Sequence, residues 1–166
     1  MLTINLTELM SVLSEKVNVL ESMRFSLEEE ERCIIAHKPM QLQENTRQTE
    51  ELMARLNAVN DRLGVLLLRV GGELGLKETG TLSALLPGVS PEIRVQLRMF
   101  QEKCFSTAAA IKHHLAINER LIKQSLSVID RSMSLFIRVL GGYDTYGANG
   151  CILKAKAARG VLCREI

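Results

Sequence analysis

The sequence predicts an all-α protein, an elongated antiparallel three-helix coiled-coil bundle with a flexible C-terminal tail. Leucines recur at heptad spacing, only three prolines occur in 166 residues, and aromatic residues make up 4% of the chain. A β-sandwich or barrel would need β-branched and aromatic residues in alternation, so this composition favours helices. We expect residues 1–140 to form the bundle and residues 141–166 to form a glycine-rich junction and a partner-binding tail.

The first predicted helix covers about residues 5–37. Its seam repeats every seven residues, at Leu6, Leu13, Leu20, Leu27 and Ile34. Such a repeat is typical of a coiled coil. Asn5 and Glu8 have the spacing of an N-cap and its N3 partner, so we expect the helix to begin there. Pro39 ends it, because the residue before a proline is pushed out of helical backbone angles.

The second predicted helix covers about residues 39–75. Pro39 suits its first position, and Gly75 suits its end. The apolar residues follow steps of four and three, at Leu52, Leu56, Val59, Leu63, Leu66, Val70 and Leu74. A connector follows, in which TLSALL predicts one short helical turn before Pro87-Gly88.

The third predicted helix covers about residues 91–140 and contains neither proline nor glycine after its first residue. Ser90 and Pro91 provide an N-cap and a first helical residue. The expected seam runs through Ile93, Leu97, Phe100, Cys104, Ala108, Ile111, Leu115, Asn118, Ile122, Ser125, Ile129, Met133, Phe136 and Leu140. The short connections predict antiparallel neighbours, and we expect Asn118 to fix the helix register. The third helix is longer than the other two, so we expect it to overhang them or bend, which would leave an apolar seam exposed.

The sequence offers little for catalysis. It has no Glu-x-x-His pair, and its glycine-rich segment 71–81 lacks the Gly-Lys-Ser/Thr ending of a phosphate loop. His113 and His114 are adjacent and therefore point about 100° apart on a helix, so they cannot hold one metal ion by themselves. The four cysteines show no metal-site spacing. We predict a protein that is not an enzyme and that uses no cofactor and no metal.

Charge and hydropathy exclude several partner classes. The net charge of +2 is too small to indicate nucleic acid. The longest apolar run, GVLLL, falls far short of the ~20 residues of a membrane span. The N-terminus lacks the pattern of a secretory signal. We therefore expect a cytoplasmic protein with reduced cysteines, no nucleic-acid partner and no membrane insertion.

Two side-chain groups allow more than one interpretation. The acidic run at residues 28–31 is typical of a solvated helix face, and the alternative is a docking patch for a basic partner. The methionines are expected in or beside the seam, although methionine-rich faces also suit adaptable recognition. These are Met10, Met23, Met53, Met99 and Met133.

The periodic pattern ends at Leu140. The next ten residues, GGYDTYGANG, include four glycines and the turn dipeptide Asn149-Gly150. The following CILKAKAARGVLCREI mixes basic and apolar residues in a weak helix former. Composition leaves two interpretations open, a frayed terminus or a segment that folds against a partner.

The segment NERLIKQSLSVIDRSMSLFIRVLGG, followed by Tyr146, Gly147 and Gly150 as Tyr-Gly-x-x-Gly, resembles the FlgN family of flagellar export chaperones. The order of the predicted helices and the total length are also similar to the family over most of the chain. The resemblance implies a cytosolic chaperone of type III secretion. Such a chaperone binds the hook–filament junction proteins (hook-associated proteins), prevents their premature assembly and delivers them to the membrane export gate.

The resemblance also implies partners and sites. The expected partners are the junction proteins and components of the flagellar export gate and the export ATPase complex. Tyr146 matches the family position that contacts the export gate. We expect client binding by the tail, at Tyr143, Gly147, Gly150, Ile152, Leu153, Val161 and Leu162.

Two other classes of function stay open at this point. The first is a self-associating coiled-coil scaffold or adaptor with no client, in which the heptads serve assembly. The second is a helical-bundle enzyme or metal protein. Sedimentation distinguishes the first from a chaperone, and metal analysis tests the second.

Overall fold

A computed structural model describes residues 2–76, 80–140, 145–146 and 152–153. Its helices are α1 (Leu2–Ile35), α2 (Pro39–Glu73), the short α3 (Leu82–Leu85), which continues into a 3-10 turn at Leu86–Gly88, and α4 (Pro91–Leu140). Two short strands follow, β1 (Thr145–Tyr146) and β2 (Ile152–Leu153). The chain divides into two compact units, Met1–Leu121 and Ile122–Ile166.

Proline and glycine mark the helix ends at the predicted places. Pro39 and Pro91 are the first residues of α2 and α4. Gly75 takes a φ of +66° and follows the end of α2, where the amide of Leu76 donates to the carbonyl of Gly71. This is a Schellman ending, which needs a left-handed residue and therefore favours glycine.

His37 ends α1 in the same way without being a glycine. Its φ is 52°, and the amide of Lys38 donates to the carbonyl of Cys33. A side chain with a Cβ is disfavoured in this left-handed conformation by roughly 1–2 kcal/mol. The turn between α1 and α2 therefore contains local strain.

The first unit is a helical bundle in which α1 and α2 run in opposite directions. Asn5 donates to Glu73 over 2.8 Å, Glu15 pairs with Arg62 over 2.9 Å, and further along α1 the carbonyl of Ser26 accepts from Asn45. All five heptad residues predicted for α1 are buried, and they are Leu6, Leu13, Leu20, Leu27 and Ile34. The predicted all-α bundle is confirmed.

The start of α1 differs from the prediction. The helix already includes Leu2–Ile35, so Asn5 lies inside it and does not cap it. The Asn5 side chain instead donates to Glu73 at the end of α2. The N-cap prediction was wrong because the same polar side chain can satisfy a partner on a neighbouring helix.

Two apolar clusters fill the first unit. The larger one joins α1, α2, α3 and the start of α4, and its fully buried members are Leu9, Val12, Val59, Val70, Leu85 and Leu97. The second lies further along α1 and α4, around Val19, Leu20, Met23, Leu27 and Ile111. Both clusters include residues of α1, so this helix contributes to the core along most of its length.

A buried polar group sits between α1 and α2. Ser26 donates to the Asn45 side chain over 3.0 Å and lies 2.8 Å from the Thr49 hydroxyl. The Asn45 amide donates in return to the Ser26 carbonyl over 2.8 Å. Any shift between the two helices would leave these groups unpaired in the interior, so the group favours one register.

In the second unit, the structure contains two strands that the sequence analysis did not predict. β1 and β2 pair antiparallel, with Thr145 opposite Leu153 and Tyr146 opposite Ile152. The dipeptide Asn149-Gly150 lies between them in the sequence, and Asn-Gly is the strongest short-range signal for a hairpin. The strands are too short for the strand signal of alternating residues to be visible.

Candidate functional site

The candidate site is the apolar part of α4 in the second unit, residues 122–139. Every residue from 128 to 139 is exposed. Nine large apolar side chains in this segment have between 38% and 66% of their surface exposed. They are Ile122, Leu126, Val128, Ile129, Met133, Leu135, Phe136, Ile137 and Val139. Single exposed apolar residues are normal, but a contiguous set of this kind marks an interaction surface.

Six of these residues form one face of the helix, which we name stripe A. Steps of four and three along α4 place them in a line typical of a coiled-coil seam. Stripe A consists of Ile122, Leu126, Ile129, Met133, Phe136 and Ile137. A helix with such a line gains stability when a second amphipathic helix covers it.

The other three residues form a second face, which we name stripe B. Val128 and Leu135 are seven residues apart, and Val139 is four residues after Leu135. At 3.6 residues per turn, the centres of stripes A and B lie about 130° apart on the helix. The small polar residues Ser125 and Ser132 separate them.

The segment is a weak helix by composition. Serine and β-branched residues, which have below-average helix propensity, occupy much of the stretch SLSVIDRSMSLFIRV. Helices of this kind depend on packing of an apolar face more than on intrinsic propensity. The exposed stripes are therefore also the place where a partner would add most to the stability of this helix.

Charge is unevenly placed around the two stripes. Asp130 and Lys123, of opposite sign, border stripe A. Arg131 and Arg138 border stripe B, since Arg131 lies three residues after Val128, and Arg138 lies three residues after Leu135. The border of stripe B is therefore positively charged.

In the first unit, polar contacts attach α4 to α1. Asn118 is only 3% exposed, and its amide donates to the Leu27 carbonyl over 3.0 Å and to Glu30 over 2.9 Å. Its Oδ1 atom is buried without a hydrogen-bond partner. Thr107 donates to Glu21 over 3.1 Å. These contacts fix where α4 lies along α1.

These contacts also shift the predicted seam of α4. The structure buries Thr107 and half-buries His114, whereas the predicted seam residues Ala108 and Leu115 are exposed. Hydrophobicity favoured the leucine over the histidine, but His114 lies 3.5 Å from Glu28 and 3.4 Å from Glu31. This part of the prediction was wrong because polar pairing decided which residues face α1.

The acidic run at residues 28–31 is neither a freely solvated face nor an open docking patch. Glu28 pairs with Arg24, Glu29 pairs with Arg32, and Glu30 accepts from Asn118. All four carboxylates are partly buried and take part in contacts within α1 or with α4. The run therefore stabilises the bundle.

A hydrogen bond from Arg24 lowers the pKa of Glu21 below its usual range, and the hydrogen bond from Thr107 acts in the same direction. Ionised Glu21 is therefore favoured in the folded bundle. The contact between Glu21 and Thr107 is one of those that join α1 to α4.

The first unit also has an open groove between α2 and α4. Its walls are almost entirely apolar, and they include Leu56, Leu63, Phe100 and Cys104, with Lys16 at one side. Burial raises the pKa of the Cys104 thiol, although the charge of Lys16 acts in the opposite direction. Such a groove can bind apolar groups, but it holds no paired acid and base.

Two classes of site find no support in the part of the chain that the structure describes. No three His, Cys, Asp or Glu residues there are placed to hold a metal ion. None of the described helices has the length and apolar content that a membrane span requires. Cys33 and Cys104 are free thiols.

The predicted tail sites fall mostly beyond these residues. Tyr146, Ile152 and Leu153 lie in strands β1 and β2. The remaining predicted site residues lie outside the described residues, and they are Tyr143, Gly147, Gly150, Val161 and Leu162. All of these assignments stay predictions.

The helix predicted over residues 91–140 was expected to overhang its partners or bend and to leave an apolar seam exposed, and Ile122, Ile129, Met133 and Phe136 of that predicted seam are exposed. Stripe B was not predicted, because Val128, Leu135 and Val139 do not follow the spacing of the seam. Periodicity shows that a face is apolar but does not show whether its partner belongs to the same molecule. Two other methionines expected at the seam, Met53 and Met99, are 52% and 64% exposed.

Comparison with protein families gives a match over most of the chain. The model of the FlgN protein family matches residues 1–152, which is most of the 166-residue chain. Comparisons with curated proteins and with solved structures find no match. Since the family match covers α1, α2, α4 and the candidate site on α4, the chain belongs to the FlgN family of flagellar export chaperones.

Proposed function

We propose that this protein is a cytoplasmic chaperone that binds flagellar hook-associated proteins through α4, prevents their premature assembly and delivers them to the type III export gate. The observation that carries the proposal is the exposed apolar segment Ile122–Val139 in a member of a flagellar export chaperone family. A protein that assembles through amphipathic helices exposes apolar stripes beforehand. A chaperone can cover such a stripe with a complementary helix face.

The apolar surface exposed on stripe A is large enough to bind a partner. Fully burying an Ile or Phe side chain contributes roughly 1.5–3 kcal/mol. Ile129 and Phe136 are 55% and 59% exposed, so about half of that gain is still available to a partner. Together the two residues would contribute about 2 kcal/mol, which corresponds to a Kd change of about thirtyfold.

The test is a calorimetric titration with purified hook-associated proteins of the same bacterium. We expect the double variant Ile129→Gln/Phe136→Gln to weaken binding by about thirtyfold. Glutamine is a better helix former than either original residue, so the helix itself is not weakened. The matched control is Ser127→Gln/Ser134→Gln, which places the same residues seven apart on the polar side. A chain that binds no hook-associated protein would refute the proposal.

We further propose that the tail contributes to client and gate recognition. Deleting residues 141–166 should leave the helical circular dichroism signal largely intact and weaken client binding. Tyr146→Ala should spare client binding and reduce affinity for the cytoplasmic domain of the export gate. An unchanged gate affinity would remove Tyr146 from this role.

Self-association through stripe A is the second candidate, because the same exposed face fits another copy of the chain. Sedimentation equilibrium without a client distinguishes the two. A chaperone should change its mass on addition of the client, whereas a scaffold should form a defined oligomer that Ile129→Gln/Phe136→Gln dissociates.

A further inference from the structure

We propose that stripe B binds a second helical segment of the same client, so that α4 pairs with two client helices and not with one. This inference rests on the proposed function. It concerns the number and charge of the segments that the chaperone recognises.

The width of the apolar surface argues for two occupants. A single partner helix in coiled-coil packing covers one narrow line of residues at steps of three and four. Stripe A already provides such a line, and Val128, Leu135 and Val139 lie beyond it, across Ser125 and Ser132. A helix on stripe A would thus leave stripe B uncovered.

The exposure of stripe B indicates that this face also binds a partner. Val128, Leu135 and Val139 are 62%, 61% and 62% exposed, whereas the residues of stripe A range from 38% to 66%. Stripes A and B are two apolar faces of one helix, and each apolar face of a helix is normally buried against a neighbour. One partner would satisfy only part of that requirement.

Charge identifies the kind of segment that fits stripe B. Arg131 follows Val128 by three residues and precedes Leu135 by four, and Arg138 follows Leu135 by three. Side chains at these spacings are neighbours on the helix surface. A helix lying on stripe B would meet both guanidinium groups along one edge, so acidic side chains on that edge would be favoured. Stripe A is bordered by charges of both signs and sets no such preference.

The experiment measures Kd for the purified hook-associated protein that the wild-type chain binds, using full-length chaperone variants. We expect Val128→Gln/Leu135→Gln to weaken binding by about tenfold or more. The control Ser127→Gln/Ser134→Gln should stay within about twofold. Arg131→Glu/Arg138→Glu should weaken binding, and added salt should then no longer weaken it further, because the attraction that salt screened has become a repulsion.

A second measurement tests whether the two stripes hold different segments. The hook-associated protein is shortened to remove one terminal segment and, separately, the other. One shortened form should bind wild-type chaperone and the Val128→Gln/Leu135→Gln variant equally, since the segment for stripe B is gone. The other form should still distinguish the two chaperones, because it keeps the segment that contacts stripe B.

Four results would overturn the inference. Val128→Gln/Leu135→Gln could bind like the control while Ile129→Gln/Phe136→Gln loses binding, in which case one client helix suffices and the proposed function stands. Both shortened clients could distinguish the variants equally. Sedimentation without client could show an oligomer that Val128→Gln/Leu135→Gln dissociates, in which case stripe B binds a second copy of the chain. If wild type binds no hook-associated protein, the proposed function itself fails and the two-helix model fails with it.

Discussion

Replacing Asn118 by aspartate tests how α4 is attached to α1. The two side chains have almost the same shape, so the change exchanges an amide for a carboxyl and little else. The Asn118 amide donates to the Leu27 carbonyl and to Glu30, and its Oδ1 has no partner. A carboxylate in the same place would face two acceptors and no donor. It would therefore be held in its protonated form.

The magnitude follows from the cost of that proton. A free aspartic acid has a pKa near 3.9, and each pH unit above this value adds about 1.4 kcal/mol to the cost of keeping the carboxyl neutral. At pH 7 this amounts to about 4 kcal/mol, and at pH 5 to about 1.5 kcal/mol. A neutral carboxyl donates one hydrogen bond where Asn118 donates two, which costs about 1 kcal/mol more.

The sign of the pH dependence is fixed by the direction of the pKa change. Burial beside two acceptors raises the pKa of the new carboxyl in the folded state, so the variant is closest to wild type at acidic pH and loses stability as pH rises. With an m-value of about 2 kcal/mol per molar urea, the unfolding midpoint should fall by about 2.5 M at pH 7 and by about 1.2 M at pH 5.

Urea titrations followed by circular dichroism, on wild type and Asn118→Asp at both pH values, provide the measurement. Asn118→Leu is the control, because it removes the amide and its unpartnered oxygen without adding a titratable group. Its difference from wild type should not change between pH 5 and pH 7. An equal loss of stability for Asn118→Asp at both pH values would refute the reasoning.

Three further predictions concern the first unit. His37→Gly should stabilise the chain by about 1 kcal/mol in urea unfolding, since glycine takes the left-handed conformation without strain, and a loss of stability would contradict the assigned helix ending. Asn45→Ala should cost about 2–3 kcal/mol because it removes two buried hydrogen bonds, those of Asn45 with the Ser26 hydroxyl and with the Ser26 carbonyl. A change below about 0.5 kcal/mol would show that water replaces the side chain. For Glu21, whose pKa is lowered chiefly by Arg24, Glu21→Gln should destabilise the protein at neutral pH. That difference should vanish as pH falls through the lowered pKa, and a difference that persists at lower pH would exclude the ionised carboxylate as its source.

Helix positions were largely predictable because proline and glycine act locally. Pro39 and Pro91 fix the backbone angle φ regardless of tertiary context, and Gly75 permits the left-handed conformation that a helix ending needs. The helices begin and end beside these residues. The buried heptad of α1 was predictable for a related reason, since it depends only on spacing. His37 shows the limit of such signals, because a histidine in a left-handed turn has no sequence signature of its own.

The candidate site was predictable only in part. An apolar repeat along α4 was visible in the sequence. Phe136 and Leu97 both follow this repeat, but Phe136 is exposed on stripe A and Leu97 is buried in the core. What separates them is the presence of neighbouring helices, which a repeat does not encode. The choice of Thr107 and His114 over Ala108 and Leu115 depended on carboxylates of α1, more than seventy positions away in the sequence.

The continuity of α4 has a consequence for how quickly a client can be captured. Forming a helix from a disordered chain is slow to start, because the first turn fixes several residues for a single hydrogen bond, whereas each later residue adds a bond of its own. Residues 122–140 continue a helix that already begins at Pro91, so they need no new nucleus. Elongation takes on the order of nanoseconds per residue. If the binding segment frays, it should therefore re-form long before a client diffuses away. The rate of capture should then be set by the encounter between chaperone and client, and not by helix formation.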